Sequence, residues 1–233
     1  MKNDRPLRPA SFAEHKLMTA ILDGTYPAGS ALPAERALAE EIGITRPTLR
    51  ETMKRLSGEG WITIQHGKPT MVNDYWEKGG LSLLGTLAKY GEDLPEELII
   101  HLLDVRANLM PAIAARAALY APDTLLDYLD AFDRGTENPG TFAEFDWGLQ
   151  VLMTKHSKNP VNMLILNDFS YIFKVLAVKY FDHPETRQAS LKYYSLLTDA
   201  ISNGKERIEP LVREAMEKSL ELWESLYPEN GGV

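Results

Sequence analysis

The chain of 233 residues contains no cysteine. A disulfide scaffold, a thiolate zinc site, an iron–sulfur cluster and a cysteine nucleophile are therefore excluded, and a reducing compartment fits this composition. The first residues carry Lys2, Arg5 and Arg8, but they are not followed by the apolar segment of a signal peptide. We also find no run that approaches the ~20 apolar residues needed to cross a bilayer. These absences predict a soluble, cytoplasmic protein that has no membrane partner.

The sequence signatures of common enzymes are missing as well. The chain has no GxSxG nucleophile elbow, no HExxH zinc motif, no GxxxxGK[ST] phosphate loop and no GxGxxG after a strand. Carboxylates are abundant, but a glutamate-rich helical face is usually just solvated. The sequence therefore predicts a protein that is not an enzyme and has no catalytic residues.

The net charge of -8 is distributed unevenly along the chain. Residues 1–73 hold ten Lys or Arg against eight Asp or Glu, whereas the remaining 160 residues hold 15 basic and 25 acidic side chains. Such an asymmetry makes the first part of the chain a candidate for binding a polyanion.

The first part of the chain has the pattern of three short helices. Apolar residues recur at helical spacing within 12–24, 34–42 and 45–58. Gly24 and Gly43 are suited to end the first two helices, and only two residues separate the second helix from the third. This order is typical of a helix-turn-helix.

A β-hairpin is predicted to follow these helices. Polar and apolar residues alternate over 61–65, as in a strand, and a basic turn at 66–69 allows 70–73 to return as its partner. Three helices and a hairpin predict a winged helix-turn-helix domain over 8–74, joined by a linker at 75–80 to a second domain.

The rest of the chain predicts helices alone. We expect an all-helical effector-binding and dimerisation domain over 81–230, and a fold that is mainly α. Its clearest helix starts at Pro95, with an apolar stripe at Leu98, Leu102, Val105, Leu109 and Ile113. Turn residues separate the further helices, which are predicted at 123–135, 141–156, 160–181, 185–203 and 207–227.

One side of the third helix is basic. At 100° per residue, Arg46, Arg50 and Lys54 form a stripe roughly 90° around the helix from its apolar stripe. Guanidinium groups exposed in this way can bind guanine O6 and N7 in the major groove of DNA. Thr45 and Thr48 add short donors near the helix N-terminus, where N–H groups favour phosphate oxygens.

The tip of the hairpin is also suited to approach DNA. Gly67 lets the backbone come close to a groove, and it lies between His66 and Lys68. Basic residues at helical spacing also occur on helices that are merely solvated. The short connection before the third helix and the basic hairpin tip after it favour DNA binding instead.

Several segments resemble the GntR superfamily of bacterial transcription regulators. They are 32–39 (LPAERALA), 44–51 (ITRPTLRE) and 56–60 (LSGEG). Segment 60–70 (GWITIQHGKPT), with Trp76-Glu77 beyond it, is more particular and is similar to the FadR branch of fatty-acid-metabolism regulators. The similarity continues less evenly to the C-terminal helix.

The resemblance implies a homodimer on a short palindromic operator, with a helical domain that senses an effector. The DNA-contacting positions of the family fall on Arg36, Thr45, Arg46, Thr48, Arg50, His66 and Gly67. Pro47 occupies a further position of this set, where the relatives usually have threonine.

Many relatives with this type of helical domain bind a metal through three histidines and an acidic residue, a donor set that suits zinc. In this sequence Gln150, Tyr194 and Ser219 stand where three of the histidines would lie. The five histidines present include no HxxxH pair. We expect neither metal ligands nor a cofactor.

The helical domain of the FadR branch is similar to a long-chain acyl-CoA receptor. Such a ligand needs an apolar tunnel and polar donors near the mouth. Helices 95–118 and 160–181 would supply the tunnel, although such apolar stripes also form ordinary cores, and Met216 stands where relatives carry glycine. The implied effector-binding residues are Arg106, Arg213, Ser219 and Trp223 at the mouth, and Tyr180 and Tyr194 near the thioester.

Two other functions stay open at this point. A regulator of the same shape would sense an organic acid, a sugar acid or a shorter acyl-CoA, and an acyl-CoA-processing enzyme would carry an appended helical module. The sequence favours a homodimeric regulator that binds double-stranded operator DNA and is released by long-chain acyl-CoA. By the resemblance, it represses genes of fatty-acid degradation and activates genes of fatty-acid synthesis.

Overall fold

The computed structural model describes residues 9–90 and 96–228. The chain divides into two compact units, Met1–Glu92 and Asp93–Val233. The first unit begins with three helices, α1 (Pro9–Leu22), α2 (Glu35–Ile42) and α3 (Arg46–Gly58), which confirms the helices predicted there.

The core of the first unit lies between these helices. Apolar residues at helical spacing face inward from all three, so that one stripe of each helix is removed from water. The fully or nearly fully buried side chains include Leu17, Met18, Leu38, Leu49, Met53, Leu56 and Trp61. The opposite face of α3 is thereby left exposed to solvent.

The predicted hairpin is present as a short antiparallel pair of β1 (Ile62–Thr63) and β2 (Met71–Val72), with Ile62 opposite Val72. A third segment, not predicted from the sequence, pairs with the other edge of β2. The backbone N–H of Leu32 donates to Thr70 O at 2.8 Å, and that of Val72 donates to Ser30 O at 2.8 Å. Polar and apolar residues do not alternate in this segment as they do in a typical strand, so its pairing depends on tertiary contacts.

The hairpin is anchored at its base by a close backbone approach. Gly60 has φ +93°, and a Cβ there would lie 2.6 Å from the carbonyl oxygen of Lys78, so only glycine fits. The buried Asn73 donates from Nδ2 to Gly60 O at 2.8 Å and accepts at Oδ1 from Thr63 Oγ1 at 2.7 Å. These contacts fix the direction in which the hairpin leaves α3.

Two helices follow the hairpin within the first unit, α4 (Tyr75–Lys78) and α5 (Ser82–Tyr90). The segment predicted as a linker thus contains a helical turn. Leu87 of α5 is buried, and Thr86 Oγ1 donates to Glu59 Oε2 at 3.1 Å, so α5 packs onto the first unit. The domain boundaries at 74 and 80 stay a prediction.

The described part of the second unit contains α-helices and one 3₁₀ turn, and no strand. The helices are α6 (Glu96–Tyr120), α7 (Pro122–Asp130), α8 (Pro139–His156), α9 (Pro160–Phe181), α10 (Pro184–Asn203) and α11 (Ile208–Leu226), with the 3₁₀ turn at Lys205–Arg207. The all-α prediction is confirmed. Pro95, the expected helix start, and residues 8, 229 and 230 of the predicted domains lie outside the described residues.

The apolar stripe predicted for α6 is only partly buried. Leu98 and Ile113 lie in the core, but Val105 and Leu109 are 39% and 37% exposed. The helix buries small residues instead, which let neighbouring helices come close: Ala107, Ala114, Ala117 and Ala118.

Two helices of the described residues are long and apolar enough to cross a membrane, judged by length and composition alone. They are Glu97–Tyr120 and Pro160–Phe181, each with a mean hydropathy of 1.4. No such run was expected from the sequence. Part of the apolar surface of these two helices lines a cavity of the second unit.

Candidate DNA-binding surface and effector cavity

The third helix begins with the cap that the sequence predicts. Thr45 is extended, its Oγ1 accepts a hydrogen bond from the backbone N–H of Thr48 at 3.3 Å, and the two hydroxyls lie 2.8 Å apart. Pro47 lies in the first turn, where its missing N–H costs nothing. The cap therefore uses the two threonine hydroxyls that were also predicted to contact DNA.

The basic stripe of α3 is exposed as predicted. Arg46 is exposed and forms no ion pair within the described part of the chain, whereas Arg50 Nε lies 2.6 Å from Glu35 Oε2 on α2. Lys54 Nζ lies 3.0 Å from Glu51 Oε1. Exposed pairs of this kind contribute ~0–1 kcal/mol, so they hold the side chains in place without preventing exchange for a phosphate or base.

The predicted DNA-contacting residues outside α3 are also on the surface. Arg36 is exposed on the first turn of α2. At the hairpin tip, His66, Gly67 and Lys68 are exposed, Gly67 has φ +72°, and Lys68 N–H donates to Gln65 O at 3.2 Å. The surface of the first unit thus presents basic groups on a helix and on a tight turn.

The second unit contains a cavity of about 560 Å³ between α6, α8, α9, α10 and α11. This size lies within the ~300–1,000 Å³ of small-molecule sites. The apolar stripe of α6 is only partly buried because three of its residues, Leu102, Val105 and Leu109, line this cavity. Most of the lining is apolar or aromatic, and the charged lining residues are Arg106, Asp146, Lys192, Glu214, Glu217, Lys218 and Glu221.

A buried carboxylate lies at the cavity wall. Asp146 Oδ2 accepts from Gln150 Nε2 at 2.7 Å, and Asp146 Oδ1 accepts from Tyr194 OH at 3.0 Å. Burial raises the pKa of Asp146, while the positive charge of Arg106 and these two hydrogen bonds oppose the rise. Side chains of α6, α8 and α10 thereby form one polar cluster in the interior of the second unit.

The guanidinium of Arg106 is held by α11. Its Nη2 donates to Ser219 Oγ, which in turn donates to Met216 O at 2.8 Å. Trp223, one turn further along α11, is 2% exposed and stacks at 6.4 Å between ring centroids against Tyr180. Arg106, Tyr180, Ser219 and Trp223, four of the predicted effector residues, all line the cavity, and their contact with an effector stays a prediction.

Two of the predicted effector residues do not line the cavity. Tyr194 is directed to Asp146 instead, and its neighbour Tyr193 lines the cavity in its place. Arg213 is partly exposed on α11 and is not part of the wall. Whether either residue contacts an effector stays a prediction.

Sequence reasoning missed Asp146 and Tyr193. A signal for Asp146 is present, because it occupies the helical register of the buried Leu149 and Met153, where a carboxylate is unusual. The adjacent tyrosines carry no such signal, because the sequence does not show which of the two hydroxyls faces a cavity.

No cluster of three or more His, Cys, Asp or Glu suitable for a metal ion is found among the described residues. At the three positions where relatives have histidine ligands, Gln150 and Tyr194 donate hydrogen bonds to Asp146, and Ser219 accepts one from Arg106. The amide, the phenol and the hydroxyl are thus part of a network of hydrogen bonds within the protein.

Comparison with known proteins finds two family models that together match residues 9–229. The model of bacterial regulatory proteins of the gntR family matches residues 9–72, and the model of the FadR C-terminal domain matches residues 73–229. The chain is 40% identical to a "Fatty acid metabolism regulator protein" of Klebsiella pneumoniae subsp. pneumoniae over 216 residues, which are 92% of this chain and 90% of that protein. A protein of the same name from Escherichia coli O1:K1 / APEC is 38% identical over the same shares.

A solved structure shares the fold at low sequence identity. It is the Listeria monocytogenes protein Lar, described as controlling expression of the agr system, with a TM-score of 0.62 and 15% identity. The match covers 96% of this chain and 100% of that chain.

Proposed function

Since this chain belongs to the GntR family of bacterial regulators and carries a FadR C-terminal domain, we propose that it binds a palindromic operator as a homodimer and is released by long-chain acyl-CoA. It is a transcription regulator of fatty-acid metabolism and not an enzyme. We propose further that it acts in the cytoplasm, on genes of fatty-acid degradation and synthesis.

The observation that supports DNA binding is the exposed basic stripe of α3. Arg46 and Arg50 project from a helix whose other face is buried, and Arg46 has no competing carboxylate in the described part of the chain. A guanidinium presented in this way can bind a base edge, while the hairpin tip supplies His66 and Lys68 for a neighbouring groove or phosphate.

The observation that supports an acyl ligand is the cavity itself. A long alkyl chain requires an apolar wall, and aromatic and aliphatic residues of α6 and α9 provide one. Lys192 and Lys218 are the lining cations other than Arg106, and they are suited to the phosphates of a coenzyme A moiety, although Lys218 is paired with Glu221 at 2.8 Å.

Release requires that the ligand bind one state of the protein better than another. The cavity is formed by α6, α8, α9, α10 and α11 together, so an acyl chain inside it favours arrangements of these helices that leave room for it. The operator favours the other state of the protein. Acyl-CoA and operator DNA then weaken each other's binding by the same factor.

The experiment uses the full chain and a palindromic DNA selected from a random pool. Fluorescence anisotropy should show binding by a dimer, with an affinity that falls steeply as salt rises because phosphate contacts release counterions. Palmitoyl-CoA should lower the affinity for this DNA, and coenzyme A without an acyl chain should not. Selection of no palindrome, or release by coenzyme A alone, would contradict the proposal.

A shorter acyl-CoA is a second candidate, favoured by one residue of the wall. Met216 is 4% exposed and lines the cavity, so its side chain occupies space that a longer chain would need. A chain-length series from octanoyl-CoA to palmitoyl-CoA tests this. If Met216 sets the length, Met216→Gly should shift the optimum toward longer chains, and an unchanged optimum would remove the second candidate.

A further inference from the structure

The two arginines of the basic stripe of α3 are held differently. Arg46 is exposed and forms no ion pair within the described residues, whereas Arg50 Nε donates to Glu35 Oε2 of α2 at 2.6 Å. A carboxylate on a surface that binds a polyanion opposes that binding, because it repels the phosphates. The Glu35 carboxylate therefore does not serve the affinity for the DNA backbone.

Both partners of this pair stand on helices that the core holds in place. Glu35 lies in the first turn of α2, one turn before the buried Leu38, and Arg50 follows the fully buried Leu49 on α3. The two helices pack against each other, so the carboxylate stands at a defined place beside the arginine. A long arginine side chain that is anchored at Nε has lost much of its rotational freedom before any DNA binds.

The hydrogen bond leaves one end of the guanidinium available. Arginine has five N–H donors in a planar fork, one at Nε and two each at Nη1 and Nη2. No other hydrogen bond or ion pair of Arg50 is found within the described residues, and its side chain is 56% exposed. The end formed by Nη1 and Nη2 is therefore free to bind two acceptors at once.

The partner that fits this end is a guanine in the major groove. Guanine presents O6 and N7 as neighbouring acceptors, and a bidentate arginine is the commonest specific contact to it. A phosphate also offers two oxygens, but the Glu35 carboxylate offsets the charge of Arg50 and repels a phosphate nearby. The pair thus favours an uncharged base edge over the charged backbone, and base edges carry the sequence information.

We propose that Glu35 is a positioning residue, which holds Arg50 by its Nε so that the Nη1 and Nη2 end reads a guanine of the operator. The inference rests on the proposed function in that the chain binds a specific DNA sequence. It assigns the pair of Glu35 and Arg50 to sequence discrimination, and it keeps the pair intact in the complex with DNA.

The experiment measures two affinities of the full chain by fluorescence anisotropy, one for the selected palindrome and one for a DNA of equal length and scrambled sequence. The readout is their specificity ratio, because a change of net charge alone alters both affinities in parallel. Glu35→Ala removes the carboxylate, whereas Glu35→Gln keeps an oxygen that accepts from Nε. The ratio should fall about tenfold for Glu35→Ala and less for Glu35→Gln, while binding to scrambled DNA tightens in both.

Glu51→Gln is the matched control. It removes the same charge from the same unit, where Glu51 Oε1 lies 3.0 Å from Lys54 Nζ. An ammonium group has no planar fork to orient, so this variant should tighten both complexes and leave the ratio unchanged. Because Glu35→Gln is nearly isosteric, the comparison with Glu51→Gln does not depend on the stability of Glu35→Ala.

Two further measurements assign the effect to Arg50. In an Arg50→Ala background, Glu35→Ala should not lower the ratio further, because the guanidinium that it positions is gone. Operators with single base-pair changes locate the contact. Arg50→Ala and Glu35→Ala should both lose discrimination at the same G·C pair of each half-site and keep it elsewhere.

The outcomes separate the inference from the proposed function. A ratio that falls in the Glu35 variants, at the base pair that Arg50→Ala relaxes, supports the positioning role. An unchanged ratio in these variants, an equal fall in Glu51→Gln, or a fall that persists without Arg50 overturns the role but leaves a sequence-specific regulator intact. If the unaltered protein binds palindrome and scrambled DNA equally, the proposed function fails, and the inference fails with it.

Discussion

The two units differ in where they place their polar groups. The first unit buries apolar stripes and presents Arg46, Arg50 and Lys68 on its surface. The second unit buries Asp146 and Tyr193 around a cavity. A surface that binds a DNA duplex needs polar groups that project outward, whereas a small-molecule site needs polar groups that converge from several helices. The first unit therefore exposes its polar groups, and the second unit buries some of them.

The two units also differ in how tightly their leucines are packed, and this difference predicts the largest effect. Leu49 of α3 is fully buried in a closed core, and Leu49→Ala should lower the free energy of unfolding by about 2–5 kcal/mol because a cavity remains. Leu109 of α6 already borders a cavity and is 37% exposed, so Leu109→Ala should cost much less. Urea denaturation of the two variants measures the contrast.

If both variants lose the same free energy of unfolding, Leu109 is packed as tightly as Leu49, and the two units do not differ in packing. If only Leu49→Ala loses stability, the difference between the two units is confirmed. Leu119→Ala, at a position 63% exposed at the end of α6, serves as a control for the lost helix side chain without burial.

A smaller effect separates two adjacent tyrosines of α10. The hydroxyl of Tyr194 donates to Asp146 at 3.0 Å, and Tyr194→Phe should destabilise the protein by about 1–3 kcal/mol, because it leaves a buried carboxyl oxygen without its donor. The hydroxyl of Tyr193 is buried without a protein partner in the described residues, so Tyr193→Phe removes an unsatisfied polar group and should not lower the free energy of unfolding. Thermal unfolding of both variants decides this, and a reversed order would contradict the assignment of the two hydroxyls.

Most of the first unit was predictable because its signals are local. The Thr45 cap, the basic stripe of α3 and the turn at Gly67 each depend on neighbours within one or two helical turns. The pairing of 29–32 with β2 was not predictable, since it depends on backbone hydrogen bonds to residues about 40 positions away, which leave no periodic pattern.

The cavity was predictable only in part, for a related reason. The resemblance placed Arg106, Ser219 and Trp223 at an effector site, and the structure brings them to one wall. Tyr193 and Asp146 join them because of the rotational orientation of α10 and α8 about their own axes, which tertiary packing sets. Periodicity shows which stripe of a helix is apolar, but a core and a cavity wall have the same stripe.

DNA binding gives the next prediction, on the surface side of the comparison. Arg46→Ala should weaken binding to the selected operator by about 1–3 kcal/mol if the guanidinium contacts a base. Arg55→Ala is the matched control, because Arg55 lies on the same helix with its Nη2 at 2.6 Å from Glu14 Oε2 of α1. Anisotropy titrations should show a loss for Arg46→Ala and little change for Arg55→Ala, and the opposite result would move the DNA-binding surface to the other side of α3.

The smallest effect concerns the pH dependence of the buried cluster. Burial raises the pKa of Asp146 above 3.8, so the native state holds this proton more tightly than the unfolded chain, while Arg106 and the hydrogen bonds from Tyr194 and Gln150 limit the rise. The stabilising contribution is therefore complete at pH values below the ordinary range of Asp and is lost as pH rises through the raised pKa. Asp146→Asn removes this titration, so the free energy of unfolding of the unaltered protein should fall relative to that of the variant as pH rises through this window. Denaturation of both proteins over a pH series measures this difference in the free energy of unfolding, from which the contributions of other titrating groups cancel. Two parallel curves would show that Asp146 keeps an ordinary pKa and that its burial does not make stability depend on pH.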